Sequence, residues 1–187
     1  MATVEELVKD AQTRMQKSVE HARNEFNTVR TGRASAGLLD RVDVDYYGTR
    51  TPLKQLATIG VPEARMLTIQ PFDPSSIRNI EKAVMESDLG LTPSNDGKLI
   101  RLPIPQLTEE RRKELVKVVR GLAENHRVAV REIRRDAMKG LKDLVDAGDV
   151  GADDERRAEE QVQKLTDDHT KQIDDLLKHK EAEVMEV

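Results

Sequence analysis

The chain has 187 residues, of which 35 are acidic and 31 basic, for a net charge of −4. Charged residues make up 35% and aromatics only 2%, a balance that argues against a β-sandwich or barrel and for long helices rich in Ala, Glu, Lys, Leu and Arg. The absence of cysteine excludes disulfides, iron–sulfur clusters, thiolate zinc sites and cysteine nucleophiles together.

The first six residues include two glutamates, and no apolar run follows them, so neither a signal peptide nor a membrane span is expected. A cytoplasmic protein is expected. Residues 4–30 carry apolar side chains at Val4, Val8, Ala11, Met15, Val19, Ala22, Phe26 and Val29. Their mean spacing is about 3.6, which predicts an uninterrupted amphipathic helix. Gly32 stands where a left-handed residue could close that helix.

The next stretch changes character. All seven prolines lie between Pro52 and Pro105. Val42–Tyr46 alternates with period two and predicts a half-buried strand. Tyr47-Gly48-Thr49 predicts a turn, and one ring of the Tyr46–Tyr47 pair is expected to be core. Further strands are predicted over Ala57–Val61, Met66–Gln70 and Leu99–Leu102. Ser75 or Ser76 can cap a short helix ending near Asp88, with Leu89-Gly90 as its stop. Asn95-Asp96-Gly97 signals a turn.

From Thr108, a good N-cap followed by Glu109 and Glu110, helical periodicity runs to about Val145. A break over Ala147–Gly151 precedes a third long helix, from about Asp153 to Glu183. None of the three long helices is stable alone with one apolar stripe, so they are expected to pack together. The short connection makes the last two antiparallel. The predicted fold is therefore α+β: an antiparallel three-helix bundle from residues 1–30 and 106–187, with a small domain inserted over 31–105. The two chain crossings, marked by Arg30, Thr31 and Gly32 and by Pro103 and Pro105, can serve as a hinge.

Charge is segregated within the near-neutral total. Residues 111–142 hold 11 basic and 4 acidic side chains, and residues 143–187 hold 6 basic and 15 acidic. On a wheel of ~100° per residue, Arg112, Arg127, Arg131, Arg134 and Arg135 share an arc of about 140° with Arg120, Lys113, Lys117 and Lys142. A solvated face laced with i,i+4 pairs is the plain explanation. Yet on this helix only Glu124 shares the arc, and unpaired like charges cost stability. That cost, and the excess of arginine over lysine, point to the phosphate backbone of RNA or DNA. The pattern does not choose between them, and the lack of interleaved aromatics argues against single-strand stacking.

No motif for nucleotide binding, metal binding or covalent catalysis is present. His21, His126, His169 and His179 each stand alone on a predicted helix, with His169 on the core stripe of the third. Met15, Met85 and Met138 are expected to be packing residues. Asp153-Asp154-Glu155 suits the helix dipole better than a cation site. No catalytic residue, metal or cofactor is expected.

Five segments carry a resemblance. Arg30-Thr31-Gly32-Arg33-Ala34-Ser35, Tyr46-Tyr47-Gly48 with Thr51-Pro52-Leu53, Ser87-Asp88-Leu89-Gly90, Leu107–Lys113 and Val130–Ala137 follow, in order, the motifs of the bacterial ribosome recycling factor family. The chain resembles that family over nearly its whole length. The resemblance implies an L-shaped molecule of tRNA-like dimensions, with a three-helix bundle and a β/α/β sandwich. It implies a monomer that binds the post-termination ribosome and, with elongation factor G and GTP, splits it into subunits. The bundle would rest on large-subunit ribosomal RNA near an intersubunit bridge, with Arg112, Arg131 and Arg134 matching motif arginines that face the RNA. Neither a membrane nor a small-molecule substrate is implied. A coiled-coil adaptor would explain the helices but not the basic stripe or the inserted domain. A general RNA chaperone would show little preference for ribosomes.

Overall fold

The computed structural model describes residues 2–186. One unit is built from residues up to Thr31 and from Glu109 onward, the other from Gly32–Thr108. The architecture is α+β.

The first unit is a bundle of α1 (Val4–Thr28), α4 (Glu109–Asp146) and α5 (Ala152–Met185). A reciprocal capping box starts α1: the Glu6 amide donates to Thr3 Oγ1 at 3.2 Å, and the Thr3 amide donates to Glu6 Oε2 at 2.8 Å. α4 ends in a Schellman turn. Gly148 has φ +79°, its amide donates to the Val145 carbonyl, and the Asp149 amide donates to that of Leu144. That turn sends α5 back antiparallel along α4.

Gly32 does not close α1 as its position suggested. The helix ends at Thr28 with Val29 extended as its C-cap, and Gly32 lies beyond that cap. The bundle core takes Met15, Val19 and Phe26 from α1, Val119, Val130 and Leu141 from α4, and Val162 and Ile173 from α5. Ala11, Ala22, Ala123, Ala137 and Ala158 lie among them, and their small size lets the helices approach closely. His169 is buried, with Nδ1 2.6 Å from the Leu165 carbonyl oxygen, so its polar atom is satisfied within its own helix.

The second unit joins a hairpin, a helix and a four-stranded sheet in one core. The hairpin is β1 (Asp43–Tyr46) with β2 (Thr49–Pro52), followed by the single turn α2 (Leu53–Leu56). The sheet is antiparallel, in the order β3 (Ala57–Glu63), β4 (Met66–Pro71), β6 (Ile100–Pro103), β5 (Ser94–Asn95). α3 (Ile77–Glu86) contributes Ile77, Ile80 and Val84 to a core with Val44, Leu67, Ile69, Ile100 and Leu102. Neither serine caps α3 with its side chain. Asp73 caps the 3-10 turn before it, accepting from the Ser75 amide at 3.0 Å. Met85 is 65% exposed, against the expectation that it packs.

Asp96 organises the turn into β6. Its Oδ1 accepts from the Leu99 and Lys98 amides, and its Oδ2 from Arg101. These bonds, in that order of weight, lower its pKa from 3.8 to about 2. A carboxyl depressed in the folded state stabilises fully above its unfolded pKa and loses that contribution as pH falls toward 2. The stability difference between the wild type and Asp96→Asn should therefore be constant above about pH 5 and shrink in acid. Thermal unfolding across that range checks it, and a difference independent of pH would contradict the role given to this charge.

Candidate nucleic-acid interface

The cations of α4 divide into those that face α5 and those that face solvent. Arg127 is mostly covered. Its Nε donates to Asp174 Oδ1 at 2.7 Å, and it also pairs with Glu124 at 3.2 Å. Burial opposes its charge, but the bonds to Asp174 and Glu124 prevail and raise its pKa above the ordinary value. One helical repeat away, Arg120 Nε donates to Glu181 at 2.5 Å. Arg134 Nε donates to Gln163 Oε1 at 2.6 Å, and Gln163 in turn donates to Asp167. Arg120 with Glu181 and Arg127 with Asp174 keep one antiparallel offset, so these arginines stitch α4 to α5.

The acidic partners come from the third long helix, which a wheel of α4 alone does not include. Their signal was the excess of acid after residue 142.

Arg131 is exposed and pairs with Glu124, whose pKa is lowered by hydrogen bonds from Arg131 first and Arg127 second. Arg135 is exposed on the α1 side of the helix, beside Arg14 and Lys17. Among the described residues, Arg135, Lys117, Lys139 and Lys142 are exposed cations with no ion pair. Arg112 stands apart. It is half-buried, and its Nε is enclosed with no hydrogen-bond partner among the described residues. Fifteen residues, about 22 Å of helix, separate it from Arg127. The structure thus brings Arg127, Arg131, Arg134 and Arg135 into two turns and leaves Arg112 outside that cluster.

The cluster suits a polyanion. Exposed ion pairs are worth at most about 1 kcal/mol, so Arg131 can exchange Glu124 for a phosphate at little cost. Each guanidinium carries five donors, and the contacts seen here use only some of them. Among the described residues, no group of three His, Cys, Asp or Glu could hold a metal ion. Among the described residues, no helix is long and apolar enough to cross a membrane.

The two crossings lie side by side. Gly32 has φ +75°, and a Cβ there would stand 3.0 Å from Leu107 Cγ and 3.8 Å from the Leu107 amide nitrogen. Glycine is needed on both counts, for its backbone angle and for its lack of a side chain. Arg30 is exposed and Thr31 half-buried. Pro103 belongs to β6, where it pairs with Met66, and the Ile104 amide donates to the Arg65 carbonyl. The second connector therefore starts at Pro105 rather than at Pro103.

The family model described as ribosome recycling factor matches residues 22–185. The ribosome-recycling factor of Rubrobacter xylanophilus is 56% identical over 178 residues, covering 95% of this chain and 96% of its own. That of Synechocystis is 58% identical over 173 residues, covering 92% and 95%. A solution structure of the ribosome recycling factor superposes with a TM-score of 0.79 at 41% identity, over the whole of both chains. A second structure shows the Thermus thermophilus factor with Escherichia coli elongation factor G on the post-termination complex; it superposes with a TM-score of 0.67 at 44% identity, over 99% of this chain and 100% of that one. With its bundle, its inserted sheet domain and its basic helix all falling inside these matches, the chain belongs to the ribosome recycling factor family.

Proposed function

We propose that this protein binds the post-termination ribosome and, with elongation factor G and GTP, separates it into subunits. The observation that carries this reading is the end-to-end match to a factor seen beside elongation factor G on that complex. The exposed cations of α4 fit the binding step, taking phosphates of large-subunit ribosomal RNA through charge-assisted hydrogen bonds. The adjacent crossings at Gly32 and Leu107 fit the splitting step, serving as a narrow joint about which the second unit turns when the GTPase pushes on it. GTP hydrolysis belongs to the partner, and this protein makes and breaks no covalent bond. It works as a monomer in the bacterial cytoplasm.

Sedimentation of post-termination ribosomes tests this. Free subunits should accumulate only when the protein, elongation factor G and GTP are all present. Ribosomes that stay whole with all three would overturn the proposal. Equal binding to free duplex RNA and to ribosomes would instead favour a general RNA chaperone.

A further inference from the structure

A furrow of about 730 Å³ runs along the bundle between α1 and α4, within the ~300–1,000 Å³ usual for ligand clefts. A charged or polar contact bridges the two helices toward each end. The Arg14 guanidinium donates to Asp136 Oδ2 at 2.9 Å, and His126 Nε2 lies 3.0 Å from Glu25 Oε2. Between these clamps the same antiparallel register sets Lys17 and Ser18 of α1 across from Glu132 and Ile133 of α4.

The middle of the furrow is left open in two respects. Lys17 and Glu132 are exposed, carry opposite charges and line the same space, yet neither has an ion-pair partner among the described residues. Ser18 is 8% exposed, and its hydroxyl is enclosed with no hydrogen-bond partner among the described residues, a state that buried polar groups rarely keep. Ala129 and Ile133 give the furrow an apolar side.

A free cation and a free carboxylate on the two walls of one furrow suit a guest that accepts on one side and donates on the other. Phosphate meets only half of this, since Glu132 repels it. The Watson–Crick edge of an unpaired guanine meets all of it. Its N1–H and N2–H are adjacent donors for the two carboxylate oxygens, and its O6 accepts from lysine. Adenine and cytosine offer one amino group beside an acceptor, and uracil a single N3–H between two carbonyls. Arg135, an exposed cation of α4, also lines the furrow, so a base seated there continues the contact made by the cations of that helix.

We propose that the α1–α4 furrow reads one unpaired guanine of large-subunit ribosomal RNA through Glu132 and Lys17, with Arg135 on an adjoining phosphate. The inference rests on the RNA binding proposed above. Kethoxal, which modifies N1 and N2 of unpaired guanines, tests it on large subunits saturated with the full-length protein. The wild type should shield a guanine from the reagent. Glu132→Ala and Lys17→Ala, both at exposed helix positions, should each restore its reactivity, while the sites shielded from dimethyl sulfate stay as they are. Glu132→Lys separates base from backbone. It adds a cation to an RNA-binding helix, yet should lower affinity for the large subunit about tenfold. A gain in affinity marks a furrow that takes phosphate only and overturns the inference. So does a wild type that shields no guanine, or a guanine that stays shielded in both alanine variants; either result fits a furrow covered by ribosomal protein.

A titration without ribosomes supplies a second readout. The pentanucleotide UUGUU, added to isotope-labelled protein, should shift the amide resonances of Lys17, Ser18 and Glu132, and UUAUU should bind about fivefold more weakly or worse. Equal affinities, or shifts confined to other parts of the bundle, overturn the guanine site. Should the wild type fail to bind large subunits, the proposed function falls, and this titration still decides the inference.

Discussion

Reversing both Arg131 and Arg135 to glutamate is expected to lower affinity for the large ribosomal subunit by more than about a hundredfold while leaving the bundle folded. Both side chains are exposed, Arg135 has no ion pair among the described residues, and the partner of Arg131 is the exposed Glu124. Little intramolecular energy is lost with them. Each charge-assisted hydrogen bond to phosphate is worth about 1.5–3 kcal/mol, and two lost bonds exceed the 2.8 kcal/mol or so that a hundredfold change requires. Arg127→Ala is the contrasting variant. It strips Asp174 and Glu124 of a largely covered partner, so about 1–3 kcal/mol of stability should go. Sedimentation binding and thermal unfolding separate the two outcomes. Undiminished affinity of the double reversal at moderate salt would remove α4 as the RNA face. Loss of its helical circular-dichroism signal would show instead that these arginines hold the bundle together. The binding of the wild type should weaken steeply with salt, since each neutralised phosphate releases counterions.

The long helices were legible because a stripe recurring every 3.6 residues over 25 or more positions has no competing interpretation. Their ends were legible only where a local motif marks them. Gly148 closes α4, whereas Gly32 carries the same sequence signal but uses its left-handed angle beside Leu107, far along the chain. The short elements left no pattern to find. β2 is Thr-Arg-Thr-Pro, mostly exposed, and it is a strand because the Tyr47-Gly48 loop folds it back on β1. β5 has two residues and exists by pairing with β6. The basic stripe was visible on the wheel, yet its division was not. Which arginine is structural depends on the register of α5, a tertiary fact that places Asp174 and Glu181 across from Arg127 and Arg120. Arg112 fell on the arc by angle alone, and its burial shows how little a wheel says about the end of a bundle.

Replacing residues 32–107 by a short Gly-Ser linker is expected to leave a folded three-helix bundle that binds the large subunit and does not split ribosomes. The bundle core draws all of its buried residues from α1, α4 and α5, and the core of the second unit draws none from them. Each unit therefore carries a core built from its own elements. Closure is feasible because a Cβ on Gly32 would lie 3.8 Å from the Leu107 amide nitrogen, so the excised segment begins and ends at nearly one point. A loop of a few flexible residues spans that gap, and shortening the connection lowers the entropy of closure. The melting of the excised protein should remain cooperative, with α1 protected from hydrogen exchange as part of the bundle. Its affinity for the large subunit should match that of the full chain within about threefold, because the exposed cations of α4 are untouched. Splitting, by contrast, should vanish even with saturating elongation factor G and GTP, since the GTPase then has no lever to push. Added to a reaction with the intact protein, the excised form should act as a competitive inhibitor. A bundle that splits ribosomes by itself would show that the work is done at the α4 face, and the second unit would need another role.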